Sequence, residues 1–507
     1  MNKRKPAASS LQKPSFPDSL PHTYLGQKGY TLLKSDLSDT QTAWIKEALV
    51  ARPTVNGQVV AENTFPIYRE STQKIYMPRY FGEKHFGKAQ QEKLSQGEDI
   101  NLEFHGEMRD LQKVVIQAFM TATSGGGGGL LELYCGFGKT ICALNLCSLI
   151  KKKTLIIVHK EFLMNQWIER INQFLPSARI GKIQGQIIDI EHKDIVIGML
   201  QSLSMKDYAA SVFESFGFTI IDEVHHISSQ VFSCALFKIV SKYMLGLSAT
   251  MNRKDGMTHV FKLFLGDVIY KSVRKDEFNV IVRAHSYVNN DPDFSDVALD
   301  YRGNVAYSTM ISKLCTCDDR SEYILRILAD LLKNDDTEQK MQVMILAHNK
   351  NVLKYLHDAV NTRKIATVGY YVGGMKESAL KESETKKVII ATYSMAAEAL
   401  DIKTLNTLIM ATPKTDIEQA VGRILREKHG TPIVVDIIDQ HKPFKNQWNK
   451  RRTFYNKQKY KIIYSAVNST TMITPINTYD NSDESTDDNS PIEATSKKCM
   501  INIAEIG

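Results

Sequence analysis

From Gly106 to about Tyr270, short runs that are nearly continuous in apolar residues alternate with helical patterns. Leu155–Val158, Asp194–Ile197 and Phe218–Ile221 are runs of this kind. Strands covered on both faces read this way, because neither face can present polar side chains to water. The pattern returns after residue 340 in Gln342–Leu346, Lys387–Ile390, Thr407–Met410 and Pro432–Val435. Two successive sets of strands alternating with helices predict two α/β lobes, each built on a parallel sheet. Residues 23–105 read differently. Thr64–Arg69 and Lys74–Arg79 are aromatic and punctuated by proline, which predicts short strands and turns in a small N-terminal α+β accessory domain. The expected divisions are a disordered start at 1–22, the accessory domain at 23–105, a first lobe at 106–270 and a second at 271–440. A basic, aromatic extension at 441–465 and an acidic, solvated tail at 466–507 follow. The five glycines Gly125–Gly129 precede the predicted strand Leu130–Leu133. They lie too far before Lys139 to cradle a phosphate, and glycine runs carry chain entropy but no side-chain chemistry. A flexible connection is expected there.

Composition narrows the class. The 507 residues are 43% hydrophobic and 24% charged, the profile of a globular protein. No window approaches the ~20 continuous apolar residues of a membrane span. The basic start Met1–Pro6 is followed by no apolar core, so it does not read as a secretory signal. An intracellular protein without membrane contact is expected. Seven cysteines in a chain this long imply no disulfide framework. Cys315 and Cys317 lack the two further ligands that zinc would need, and no set of four suggests an iron–sulfur cluster. The cysteines are therefore expected to be reduced and packed as small apolar groups. A net charge of +8 suits nucleic acid without requiring it.

Leu130–Thr140 reads as a strand, a glycine-containing turn and the start of a helix running to Leu149. Glycines let successive N–H groups curl inward onto phosphate oxygens, and the helix turns its N-terminus to the same charge. Lys139 would reach the β- and γ-phosphates, and the Thr140 hydroxyl would ligate Mg²⁺. The full pattern asks for glycine at position 133, where Leu133 stands. About eighty residues further on, the apolar strand Phe218–Ile221 ends in Asp222-Glu223-Val224-His225-His226. Asp222 would hold the Mg²⁺ shell and Glu223 would take a proton from the attacking water. His225 has the better claim to a role than its neighbour His226.

Asp416–Arg426 contains Gln-x-x-Gly-Arg-x-x-Arg. On a helix Gln419, Arg423 and Arg426 share one face, while Ile417, Val421, Ile424 and Leu425 bury the other. Two arginines beside a glutamine suit the charge that develops on a transferring phosphoryl group. A site divided between lobes would close on ATP and open after hydrolysis.

Taken in order, these segments resemble helicase superfamily 2, and within it the XPB-like branch that includes the transcript-release helicases of poxviruses and other large DNA viruses. The resemblance covers roughly residues 60–465. Met108–Gln112 is similar to the Arg-x-x-Gln element, Cys135–Thr140 to motif I, and Leu155–His159 with Gln166-Trp167 to motif Ia. Asp222–His225 is similar to motif II of the DExH type, and Leu245–Thr250 followed by Asn252–Gly256 to motif III. Glu398–Asp401 stands at motif V and Gln419–Arg426 at motif VI. Two departures are Ala399, where glycine is usual, and Met251, where proline is common. The resemblance implies two tandem RecA-like lobes and ATP-dependent 3′-to-5′ movement on DNA, with ATP and Mg²⁺ as cofactors and an N-terminal domain that engages duplex. Arg109 and Gln112 would hold the base, Cys135, Gly136, Phe137 and Gly138 would wrap the phosphates, and Asp401 would line the cleft. His225, Ser248, Ala249 and Thr250 would couple the nucleotide to lobe movement. RNA polymerase or transcription factors are implied as partners and, for a viral protein, the host cytoplasm or virion as location.

Between His441 and Ile462 eight lysines and arginines interleave with Phe444, Trp448, Phe454, Tyr455 and Tyr460 without an acidic residue. Lys450, Arg451, Arg452 and Tyr455 are candidates to grip phosphates and stack on bases. A solvated helix with core-facing aromatics fits equally well. Tyr76, Arg79 and Tyr80 are further candidates in the accessory domain. A DNA motor is the leading expectation, an RNA helicase the second, and a scaffold that binds ATP without turnover the third.

Overall fold

The computed structural model describes residues 12–17, 20–55, 58–226, 229–251, 253, 255–272, 279–333, 341–398, 402, 404–425, 431–468 and 474–478. Two eight-stranded sheets organise these residues. Across the first, the strands run Ile187–Asp189, Ile180–Gln184, Ile195–Met199, Thr154–Val158, Phe218–Ile221, Tyr243–Ser248, Gly127–Glu132 and Val268–Lys271. Across the second they run Val368–Tyr371, Val388–Thr392, Val343–Ala347, Thr407–Met410, Ile433–Asp439, Ile281–Val288, Lys461–Asn468 and Thr474–Thr478. Neighbours are parallel in both, except for one antiparallel edge pair in each. The expected α/β architecture of two parallel-sheet lobes is present.

The apolar runs become central strands for a visible reason. Leu155 and Ile157 point into one core while Ile156 and Val158 point into another. In the second lobe Met344 and Leu346 alternate with Val343 and Ile345 in the same way. Each strand must therefore be apolar at every position, because helices cover both faces of its sheet.

The N-terminal sheet has five strands, ordered Arg69–Glu70, Lys74–Met77, Gly29–Leu33, Tyr24–Gly26 and Gln91–Glu92. The helices Asp39–Ala48 and Arg79–Phe86 complete an α+β unit. Ser38 starts the first helix with a capping box closed by Gln41. Tyr30, Trp44 and Phe81 share a core with Phe232, Phe261 and Phe264 of the first lobe, so accessory unit and lobe are packed as one body. Ile100 and Leu102 already belong to the first lobe's core.

Four expectations are corrected. The glycine run is no flexible connection, because Gly127–Gly129 open a strand inside the sheet, between Tyr243–Ser248 and Val268–Lys271. A Cβ on Gly128 would lie 2.6 Å from the Met244 carbonyl oxygen, and one on Gly129 would lie 2.1 Å from Ile269 Cδ1. At Gly128 only glycine fits, because a backbone carbonyl approaches this closely, whereas the neighbour of Gly129 is a side-chain tip. Tyr80, a candidate for nucleic acid, instead docks the accessory unit. Its hydroxyl accepts from Gly128 N at 2.6 Å and donates to Gly128 O at 3.1 Å. The basic aromatic extension is part of the second lobe. Its helix Lys442–Lys457 buries Phe444, Trp448 and Tyr455, and the strand Lys461–Asn468 pairs with Ile281–Val288. Thr474–Thr478 adds a strand inside the segment read as a solvated tail. Asp401, Ala399 and Arg426 lie outside the described residues.

Candidate nucleotide site between the lobes

The turn between Gly127–Glu132 and the helix Lys139–Ile150 curls through two left-handed glycines, Gly136 at φ 86° and Gly138 at φ 94°. A Cβ on Gly138 would collide with Gln112 Nε2 at 2.4 Å. Gln112 is buried and donates to the Phe137 carbonyl at 2.8 Å, while its oxygen accepts from Arg109 N at 3.0 Å. The Arg109 guanidinium bonds the same Phe137 carbonyl. These two residues brace the turn from behind. No side chain caps the helix at Gly138, so its first N–H groups keep their donor capacity for an anion.

Lys139 Nζ lies 3.0 Å from Glu223 Oε1. Burial alone would push the ammonium down, but Glu223, then Cys135 and Asp222, outweigh it and hold the lysine above its ordinary value. Asp222 is 7% exposed. Burial, and after it the neighbouring Glu223 charge, pushes its carboxyl up to about 6. Both of its oxygens are engaged, one by the Trp167 indole N–H at 2.9 Å and the other by Glu223 N at 3.0 Å. Glu223 itself sits at φ 49°, in the left-handed region. Such a conformation costs about 1 kcal/mol or more in a non-glycine residue and is often found where chemistry dictates the backbone.

The residues present fit a magnesium nucleotide. The left-handed turn and uncapped helix suit phosphates, and Lys139 already holds an anionic oxygen in the carboxylate of Glu223. Two adjacent acids, one buried and resisting ionisation and the other half-buried, suit a divalent cation. Thr140 and Asp222 would supply protein oxygens to it, leaving the rest of its shell to phosphate and water.

The second lobe reaches this site directly. His225 Nδ1 lies 2.7 Å from Ser248 Oγ and 3.3 Å from Glu223 Oε2, while its Nε2 lies 3.0 Å from Gln419 Nε2. Ser248 also donates to the Thr250 carbonyl, and Ala249 lies between the two. With that hydroxyl proton committed, the imidazole carries its own proton on Nδ1 and accepts from Gln419 on Nε2. Gln419 belongs to the helix Glu418–Arg423, in which Arg423 is buried. In the same helix a Cβ on Gly422 would come 3.1 Å from Cys135 Cβ. The helix thus touches the phosphate turn at one point and the acidic motif at another.

Residues 105–253 match a family model described as the res subunit of type III restriction enzymes. A relative from Acanthamoeba polyphaga mimivirus, named as an ATP-dependent RNA helicase, is 34% identical over 457 residues, covering 87% of this chain and 86% of that one. This chain is a superfamily 2 helicase. A protein of African swine fever virus, also named as an ATP-dependent RNA helicase, is 27% identical to the helicase over 356 residues, covering 66% of this chain and 69% of that one. The solved Hef helicase domain of Pyrococcus furiosus is 12% identical, covers 68% of this chain and 98% of its own, and superposes with a TM-score of 0.45. Membership of the family implies ATP use and a nucleic-acid substrate. Among the described residues no helix is long and apolar enough to cross a membrane.

Two candidate nucleic-acid contacts of the helicase are corrected. Arg451 and Tyr455 are both 0% exposed. Arg451 makes two bonds to Asp436, at 2.7 and 2.8 Å, and Tyr455 donates to the same carboxylate at 2.9 Å. A charge and a ring committed to the core cannot meet a polynucleotide. Lys450 and Arg452 are exposed on the outer face of their helix. One contact escaped the sequence reading: Trp167 donates to Asp222, and its place in a motif gave no sign of that bond.

Proposed function

We propose that this helicase is an ATP-driven DNA motor of the DExH type, moving 3′ to 5′ and allied to the XPB-like branch. It would serve transcript release beside an RNA polymerase and its factors, in the cytoplasm of an infected cell or in the virion. One observation carries the motor reading: the bond of 3.0 Å between His225 and Gln419. It ties the imidazole beside Glu223 to the lobe-two helix that bears Arg423. Whatever changes the charge around Glu223 therefore pulls on the other lobe.

The roles follow from chemistry. Arg109 and Gln112 brace the base side of the turn formed by Cys135, Gly136, Phe137 and Gly138. Lys139 neutralises the β- and γ-phosphates, and Thr140 with Asp222 holds Mg²⁺. Glu223 accepts the proton of the attacking water. Gln419, Arg423 and Arg426 meet the charge that develops on the γ-phosphoryl group, with Asp401 lining the cleft. His225, Ser248, Ala249 and Thr250 pass the change between lobes. Lys450 and Arg452 remain as phosphate contacts.

The test is ATP hydrolysis measured with duplex DNA, single-stranded DNA and RNA, followed by strand displacement on substrates with 3′ or 5′ tails. Stimulation by DNA with displacement from 3′ tails is expected. Stimulation by RNA alone would favour the second reading, an RNA helicase, which the names of the mimivirus and swine fever relatives support. No stimulation by any polynucleotide would refute both.

A further inference from the structure

Residues 411–417 join the strand Thr407–Met410 to the helix Glu418–Arg423. Side chains from four different helices hold the carbonyls of this arm, one after another. Ala411 O accepts from Arg320 at 2.7 Å, Thr412 O from the Tyr393 hydroxyl, and Lys414 O from Arg451 at 3.0 Å. The Tyr307 hydroxyl lies 3.5 Å from Pro413 O. Thr412 Oγ1 also accepts from His348 N at 3.0 Å.

Both arginines are anchored on one strand, Ile433–Asp439. Arg320 bonds Asp439 at 2.6 and 2.8 Å, and Arg451 bonds Asp436 at 2.7 and 2.8 Å. All four groups are at most 1% exposed. Buried pairs of this kind are a poor route to stability, because desolvating two ions offsets most of their attraction. They do give direction. A guanidinium clamped by two bonds to a fixed carboxylate has its remaining N–H aimed at one place. Here both are aimed at the same arm.

The helix that the arm launches has six residues and no side-chain cap at Ile417. So short a helix cannot hold its own geometry, and its bearing is set by what grips its flanks. We propose that Arg320, Tyr393 and Arg451 are positioning residues that make the arm at 411–417 rigid and thereby aim Gln419 and Arg423 at the nucleotide. This rests on the proposed role of those two side chains at the γ-phosphate.

The test is a double-mutant cycle on the full chain. Tyr393→Phe removes one hydroxyl and keeps the buried ring. kcat and KM for ATP at saturating polynucleotide, together with the thermal midpoint, are measured for wild type, Tyr393→Phe, Arg423→Ala and the double variant. Misaiming by a fraction of an ångström is expected to lower kcat about tenfold in Tyr393→Phe, with KM and midpoint nearly unchanged. In the Arg423→Ala background the same change is expected to cost clearly less than about tenfold, since only Gln419 is left to aim. Wild-type kcat in Tyr393→Phe overturns the proposal, and so does an equal loss in both backgrounds. Wild-type kcat in Arg423→Ala marks a different failure: the underlying role of Arg423 is then wrong, and the proposal falls with it.

Discussion

Replacing Trp167 by phenylalanine removes the indole N–H that donates to Asp222 Oδ2 at 2.9 Å, while keeping an aromatic ring in the core. A hydrogen bond to an ionised partner is worth about 1.5–3 kcal/mol. At about 1.4 kcal/mol per factor of ten, its loss should raise the Mg²⁺ concentration for half-maximal ATP hydrolysis roughly 10- to 100-fold. The pH profile supplies a second readout. The indole bond is one of the groups that lower the Asp222 carboxyl, which burial and Glu223 have already raised to about 6. Without it the carboxyl rises further, so the acid limb of turnover should move to higher pH. The assay is steady-state hydrolysis with Mg²⁺ and pH varied in turn, and the thermal midpoint controls for the smaller ring. If Trp167→Phe shows the Mg²⁺ dependence and acid limb of the wild type, Trp167 does not hold Asp222 for catalysis.

Other changes separate the remaining features. Gly128→Ala would place a methyl 2.6 Å from Met244 O and 2.9 Å from Leu265 O, neither of which can move freely. It should cost about 3 kcal/mol in chemical denaturation, whereas Gly125→Ala, with open space around its Cβ, should cost about 1 kcal/mol from its φ of +87°. Arg451→Glu sets a second acid against buried Asp436 and should lose about 3–5 kcal/mol or fail to fold. Arg452→Glu should fold normally and show weaker polynucleotide binding with a shallower salt slope, checked by titration across salt concentrations. His285 is 4% exposed, and burial depresses its imidazole from 6.5 to about 4. The unfolded chain therefore takes up this proton first, so stability is complete above about 6.5 and lost as pH falls toward about 4. That window carries at most about 3 kcal/mol. Denaturation at pH 7 and pH 5 should show a smaller drop for His285→Gln than for wild type.

Much of the fold was legible because strands covered on both faces leave a local signature. Thr154–Val158 and Val343–Ala347 are apolar at nearly every position and lie near the middle of their sheets. The strand Gly127–Glu132 was hidden because a glycine's meaning depends on what approaches it, here Met244, Ile269 and the Tyr80 hydroxyl. In the site, the phosphate turn and Asp222-Glu223 announce themselves by chemistry at short spacing. Trp167 and Asp222 are 55 residues apart, and no spacing rule connects them. Arg451 misled for a related reason. Basic residues interleaved with aromatics describe a wet face and a buried anchor alike, and Asp436 lies in a run that otherwise reads as apolar strand.

The central claim is that ATP turnover requires groups from both lobes. It is tested most directly by polynucleotide-stimulated hydrolysis in wild type, Glu223→Gln and Arg423→Ala, each shown to bind a fluorescent ATP analogue. Both variants should retain binding and lose at least about a hundredfold in kcat, one change per lobe. Undiminished turnover in Arg423→Ala, beside an inactive Glu223→Gln, would mean that the first lobe hydrolyses ATP alone and would contradict the account.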